Sequence, residues 1–439
     1  MAKIDASPLG APLKFEFSGR TAPNRFLKGA MSERLASWDP KVHENRGIPS
    51  SELINLYRRW GEAEFGIILS GNVMVDYTHL EAAGNPIIPL DAPFSGPRFE
   101  AFKEMATLGK AHGSLMIAQV GNAGRQTESK VEPNPISASD IQLIAKNGRS
   151  YAKPRPATLD DISFLSKSFA HAAEYLEKAG WDGMQLHGAH GYLIAQFLSR
   201  TTNKRTDQYG GDIANRARLV VEIGAEIRRH TRPDFVLGIK LNSVEFQDDG
   251  FTPEEARELC TILQDSKFDF VELSGGTYES SGFVHKSEST KKREAFFLQF
   301  AETITPALTK TKSYITGGLR SVPAMLAALD VVDGVGLGRP ATHEPLLPKD
   351  ILAKQSDGAR KILVGDDQFP LTMAASVVQI RQVAEDKAPL DLTRKEDYEA
   401  LVKDLKAWQE HLAKDTGFTD NRPAPIVSLP GKPFRDARL

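Results

Sequence analysis

The chain has 439 residues, a length that suits about three ordinary domains or one elaborated α/β barrel. Its 55 lysines and arginines nearly balance 57 aspartates and glutamates, and the net charge of −2 supplies no field toward nucleic acid or an anionic membrane. A hydrophobic content of 41% describes an ordinary globule, and the single cysteine, Cys260, excludes disulfide scaffolds, four-cysteine zinc sites and cysteine-ligated iron–sulfur clusters.

The first residues, Met1-Ala-Lys-Ile-Asp-Ala-Ser-Pro8, carry no apolar signal region, and no later run is long and apolar enough to span a bilayer, so a cytoplasmic location is expected. Leu13-Lys-Phe-Glu-Phe17 alternates apolar and polar residues before Ser18-Gly-Arg20, which predicts a short hairpin plugging one end of a barrel. Eight short β-branched or apolar runs follow: 26–30, 65–70, 114–120, 183–188, 236–242, 270–275, 313–318 and 334–339. Longer amphipathic segments separate them, the signature of βα units around a parallel sheet. Several runs end at once in small residues, as in Leu69-Ser-Gly-Asn72, Leu273-Ser-Gly-Gly276 and Ile315-Thr-Gly-Gly318, and such turns are where a barrel keeps its chemistry.

Helix starts are also written in the chain. Thr158-Leu-Asp-Asp161 places acids in a first turn, and Ile162, Leu165, Phe169, Ala172, Ala173 and Leu176 then form one 3.6-period stripe from Asp160 to Ala179. Thr252-Pro-Glu-Glu255 combines an N-cap, a first-turn proline and a capping-box glutamate. The proline-rich stretch from Gly121 to Ala157 is too long for a normal βα loop and is expected to cap the active face after strand three. Past Arg339 the chain continues further than one closing helix needs. Thr393-Arg-Lys-Glu396 reads as another capping box, with Leu401, Leu405, Trp408 and Leu412 on one helical face, and a proline-rich tail follows from Arg422. The expected organisation is a barrel domain over 1–345 and a helical extension over 346–439, packed on its own barrel or on the neighbouring subunit of a homodimer.

The most informative segment runs from Gln185 to Ser199, where His187, His190 and Tyr192 fall within six residues at the end of strand four. On a strict helix His187 and His190 would lie about 60° apart but Tyr192 about 140° from His187, so convergence requires a strand-to-helix turn. Gly188 and Gly191 are expected to supply it. Imidazoles can donate to a substrate oxygen and a phenol can protonate a neighbouring carbon, which fits polarisation with general-acid catalysis. Core or N-cap histidines beside a packed tyrosine fit the segment equally. A His-x-x-His metal chelate lacks a third ligand nearby, since Asn203, Lys204 and Arg205 come next, and no metal is expected.

Thr316-Gly-Gly-Leu-Arg320 and Gly336-Leu-Gly-Arg339 form a second constellation at strands seven and eight, where barrels hold a phosphate on glycine N–H groups and an arginine. Gln119, Lys240, Ala30-Met-Ser32 and Gly71 sit at other strand ends and suit the edge and plane of a flat heterocycle.

These residues resemble the Old Yellow Enzyme family of FMN-dependent barrel reductases, in family order from about Leu13 to Pro345. His187-Gly-Ala-His190-Gly-Tyr192-Leu with Gln196-Phe-Leu is similar to the family's substrate-polarising pair and proton-donating tyrosine. Asn203-Lys-Arg-Thr-Asp-Gln-Tyr-Gly-Gly211 with Asn215-Arg-Ala-Arg218 is similar to the signature that follows them. Asn24-Arg25, Met31-Ser32 and Pro135-Ile136-Ser137 match the first-strand and cap motifs. The resemblance implies a TIM (β/α)8 barrel in which Ala30, Met31, Ser32, Gly71, Gln119, Lys240, Gly317, Gly318, Gly338 and Arg339 contact FMN. It implies NADPH or NADH as reductant and an activated alkene as substrate. His187 and His190 would bind the carbonyl oxygen, and Tyr192 would protonate the α-carbon. Departures are Lys240 where arginine is usual, Ser32 where threonine or cysteine is usual, and Asn122 where histidine is common. The rival readings are an FMN-dependent alkene isomerase or specialised biosynthetic enzyme on the same fold, and a flavin-binding barrel without turnover.

Overall fold

The computed structural model describes residues 4–144, 149–242, 252–274, 301–365 and 368–434. Eight parallel strands close into a barrel in sequence order. They are β1 (Phe26–Lys28), β2 (Ile67–Met74), β3 (Leu115–Gly121) and β4 (Gly183–Gly188). The circle continues with β5 (Val236–Asn242), β6 (Phe270–Ser274), β7 (Lys312–Thr316) and β8 (Gly334–Leu337), which pairs back onto β1. Each strand is buried on both faces by the helices outside and its own lumen inside, which explains the near-continuous apolar runs in the sequence.

The expected hairpin forms: Leu13–Lys14 pairs antiparallel with Thr21–Ala22. Its Leu13, Phe15 and Ala22 pack against lumen residues including Leu27, Ile117, Phe270 and Tyr314, which seals the amino-terminal end. Helix Leu159–Lys178 begins at Thr158 with a reciprocal capping box to Asp161, and helix Pro253–Asp265 has the same device between Thr252 and Glu255. The cap after β3 carries a small two-stranded ribbon, Ile136–Ser137 with Arg155–Pro156.

Three expectations need correction, one turn lies outside the described residues, and one helix was not expected. The turn placed at Ser70-Gly-Asn72 is inside β2, which continues to Met74 through a register shift between Leu69 and Asn72. Of the sixth run, Gly275 and Gly276 lie outside the described residues. Thr393 does not cap a helix: its hydroxyl donates to Asp391 Oδ1 at 2.7 Å, and the helix starts at Lys395 with Arg394 at the N-cap. Leu401, Leu405 and Trp408 still share one apolar cluster, whereas Leu412 is exposed. Helix Phe369–Ala384 was not foreseen, because its alanine- and valine-rich sequence lacks the polar face that makes a 3.6 period visible. It packs against helix Ser51–Gly61.

Candidate active site

Strand alternation builds the site. Inward positions two apart along β3 are Leu115, Ile117 and Gln119, and along β6 Phe270, Glu272 and Ser274, so the lumen turns from apolar to polar toward the carboxyl end. The polar layer is continuous: Gln119 Nε2 donates to Gln185 Oε1 at 2.7 Å, and Gln185 Nε2 donates to Glu272 Oε2 at 2.8 Å. Lys240 Nζ lies 3.0 Å from Glu272 Oε1. All four side chains are buried. Gln119 and Lys240 were expected here; Gln185 and Glu272 were missed, although an amide and an acid inside otherwise apolar strands were the available signal.

His187, His190 and Tyr192 converge as expected. The His187 ring packs edge-on against His190 at 5.2 Å between centroids and against Tyr192 at 4.5 Å. The turn is made differently from the expectation. Gly188 stays in β4, where a Cβ would meet the Lys240 carbonyl at 2.9 Å, and His190 itself takes the left-handed conformation (φ +58°) with Gly191 (φ +77°). Asn242 Oδ1 accepts the His190 amide at 3.0 Å and Gln126 Nε2 donates to the His190 carbonyl at 3.0 Å, which hold this backbone in place. Burial pushes the His190 pKa down to about 3, with the Lys240 charge adding to it. Burial, then His190 and Lys240, holds His187 well below the ordinary value. Both imidazoles are therefore neutral. The Ala189 amide donates to His187 Nδ1 at 3.4 Å, which leaves the proton on Nε2 as a donor. His190 Nε2 lies 3.0 Å from Ser274 Oγ.

Beyond the end of β1 and beside the bulged part of β2 a buried group outside the expected set organises the wall. Glu33 Oε1 accepts the Gly71 amide at 2.8 Å and the Tyr57 hydroxyl. A Cβ on Gly71 would sit 2.2 Å from the Met31 carbonyl and collide with Glu33, so this position admits only glycine. Lys28 Nζ donates to the Leu69 carbonyl at 2.9 Å and lies 3.8 Å from the Trp60 ring centroid. Burial lowers the Lys28 pKa to about 8 and raises that of Glu33. Ala30 packs on the lumen cluster, and the Ser32 hydroxyl bonds to Glu81.

At β7 and β8, Gly317 (φ +146°) and Gly318 (φ +77°) turn the chain where a side chain would be strained. Gly336 is required because a Cβ would overlap Thr316 Oγ1, and a Cβ at Gly338 would touch only Met31 Sδ at 3.6 Å. Arg339 Nη1 donates to Thr372 Oγ1 at 2.7 Å, which ties this corner to helix Phe369–Ala384. The long signature after β4 is scaffolding: Asn203 Nδ2 donates to the Phe197 and Tyr209 carbonyls at 2.7 Å each, and buried Arg216 donates to the carbonyls of Leu198 and Gly211. Among the described residues no group of three or more histidine, cysteine, aspartate or glutamate side chains is placed to hold a metal, and no helix is long and apolar enough to cross a membrane.

A closed parallel α/β barrel with neutral imidazoles, a phenol and a buried ion pair gathered at its carboxyl end defines a TIM-barrel enzyme. The family model described as NADH:flavin oxidoreductase / NADH oxidase matches residues 8–355, and the chain belongs to that family. It is thus an FMN-dependent oxidoreductase of the Old Yellow Enzyme type. It is 48% identical over 434 residues to the NADH-dependent flavin oxidoreductase nadA of Aspergillus parasiticus, covering 98% of each chain. It is 37% identical to the NADH-dependent flavin oxidoreductase iccE of Talaromyces variabilis, over 76% of this chain and 84% of that one. The solved Old Yellow Enzyme homologue from Zymomonas mobilis superposes with a TM-score of 0.65 at 23% identity, covering 82% of this chain and 95% of that one, a likeness of fold.

Proposed function

We propose that the chain reduces the carbon–carbon double bond of α,β-unsaturated carbonyl or nitro compounds. The observation that carries this reading is the edge-on packing of His187 against both His190 and Tyr192, with both imidazoles neutral. Neutral imidazoles donate hydrogen bonds to an oxygen that gains charge, and a phenol 4.5 Å from one of them can protonate the adjacent carbon.

The donor set fits FMN. Thr316 Oγ1 and Asn242 Nδ2 are buried without a partner, the Gly317–Gly318 turn exposes backbone amides, and Arg339 stands at the same corner, which suits one phosphate monoester and a polar ring edge. In this reading Ala30, Met31, Ser32, Gly71, Gln119, Lys240, Gly317, Gly318, Gly338 and Arg339 hold the cofactor, whose hydride chemistry no side chain can supply. The chain's own residues orient the alkene, polarise its carbonyl and move one proton from the Tyr192 hydroxyl to the α-carbon. The names of the Aspergillus and Talaromyces relatives support NADH as the reductant. Segment 346–439 belongs to the same catalytic unit, a reading supported by Leu346, Ile380 and Phe434 within the main barrel core.

Anaerobic mixing of the FMN-loaded protein with NADH or NADPH and cyclohexenone tests the proposal. Consumption of reductant with equal formation of cyclohexanone is expected. Reductant consumption only on admitting oxygen, with the enone untouched, would assign the chain to oxidase chemistry.

A further inference from the structure

The segment beyond the last long helix does not trail away from the barrel. Residues 415–421 form a tight turn in which the Asp415 carboxylate accepts the amides of Thr419 and Asp420 at 2.7 Å each, and Phe418 takes a left-handed conformation (φ +52°). This turn meets three loops at the carboxyl end of the barrel. From the loop after β1, Trp38 Nε1 donates to the Phe418 carbonyl at 2.9 Å and the two rings pack edge-on at 5.3 Å. From the loop after β2, Gly84 lies so close to Asn421 that a Cβ would stand 2.4 Å from its amide nitrogen. From the cap after β3, Lys130 Nζ lies 3.6 Å from the Phe418 ring centroid. Trp38 in turn packs on the apolar cluster that contains Tyr192.

We infer that Phe418 and Trp38 form a steric wall of the substrate mouth, and that the turn 415–421 limits the size of the activated alkene the site accepts. The inference rests on the alkene-reductase reading for the identity of the substrate, but the wall itself is set by packing. The aromatic pair joins the loop after β1 to the turn 415–421, with Lys130 of the cap after β3 on the Phe418 ring, beside the apolar cluster that contains Tyr192, and a residue from far along the chain thereby becomes part of specificity. The half-buried Phe418 side chain packs on Trp38 and Lys130 and is not part of the main core cluster, so its removal opens space without cutting into that core.

The test uses the FMN-loaded enzyme and phenol binding, read from the long-wavelength charge-transfer band. 4-Hydroxybenzaldehyde serves as the small probe and 4-hydroxybiphenyl as the bulky one. Phe418→Ala should tighten the biphenyl relative to the aldehyde by roughly tenfold, the discrimination a pocket gains from a few carbon atoms of space. Trp38→Phe, which keeps a ring but loses the donor to the Phe418 carbonyl, should move the ratio in the same direction. FMN affinity in both variants reports the fold. A ratio that is unchanged or shifts toward the small phenol, with FMN affinity intact, overturns the wall. Because binding is read without alkene turnover, failure of the alkene-reductase reading would leave this result interpretable.

Discussion

Lys240 and Glu272 stand in register on β5 and β6, with the ammonium 3.0 Å from the carboxylate and both side chains buried. A buried ion pair has little net worth against apolar side chains, but removing one partner leaves the other charge uncompensated. Glu272→Gln should therefore destabilise the fold by roughly 3–5 kcal/mol. The double variant Lys240→Met/Glu272→Leu should recover most of that loss while holding FMN weakly. Denaturant unfolding and FMN titration of both proteins check this; a single variant as stable as the parent would show that the carboxylate does not compensate the ammonium.

Tyr192→Phe keeps the ring against His187 and removes only the hydroxyl. The half-reaction that consumes nicotinamide should keep its rate. The half-reaction that consumes cyclohexenone should slow by roughly 10²–10⁴-fold, the usual contribution of a positioned acid. Stopped-flow records of each half-reaction decide it, and an enone step as fast as in the parent would make Tyr192 a packing residue.

The two site histidines set a pH dependence. Their folded pKa values lie below the unfolded value near 6.5, His190 at about 3, so between those values the unfolded chain binds more protons. Stability is fully present above about pH 6.5 and is lost as pH falls below it; for His190 the loss is about 1.4 kcal/mol per pH unit down to about 3, and His187 adds to it in the same direction. Phenol affinity, corrected for the ionisation of the phenol itself, should stay flat between about pH 6 and 8, because neither ring titrates there. A step in affinity centred near 6.5, seen in charge-transfer titrations across that range, would mean that an imidazolium forms in the native site.

Arg339 reaches Thr372 across a helix that belongs to the C-terminal extension. Arg339→Ala should weaken FMN binding by roughly 1.5–3 kcal/mol, the worth of one charge-assisted contact. Thr372→Val removes the hydroxyl that accepts from the guanidinium, together with its own bond to the Phe369 carbonyl, and should cost about 1 kcal/mol of the same affinity. Equilibrium dialysis of FMN against each variant measures both. Equal affinity in Thr372→Val and the parent would show that the guanidinium is positioned by other contacts.

The sequence by itself determined the barrel, its hairpin plug and the cap after β3, and it brought His187, His190 and Tyr192 to one strand end while leaving open whether they converge. These follow from local rules: strand and helix periods, glycine at sharp turns, and capping residues a few positions from the helices they start. The tertiary structure alone decided which distant residues complete the site. Glu272 meets Lys240, Glu33 meets Gly71, Thr372 meets Arg339 and Phe418 meets Trp38, pairs between separate elements whose periodicity says nothing about partners. It also decided that His190, and not Gly188, takes the left-handed step beside β4. The reason is common to all of them: a buried charge, amide or strained backbone is tolerated only where another part of the fold supplies its hydrogen bond or counter-charge, and that is settled by the closing of the barrel.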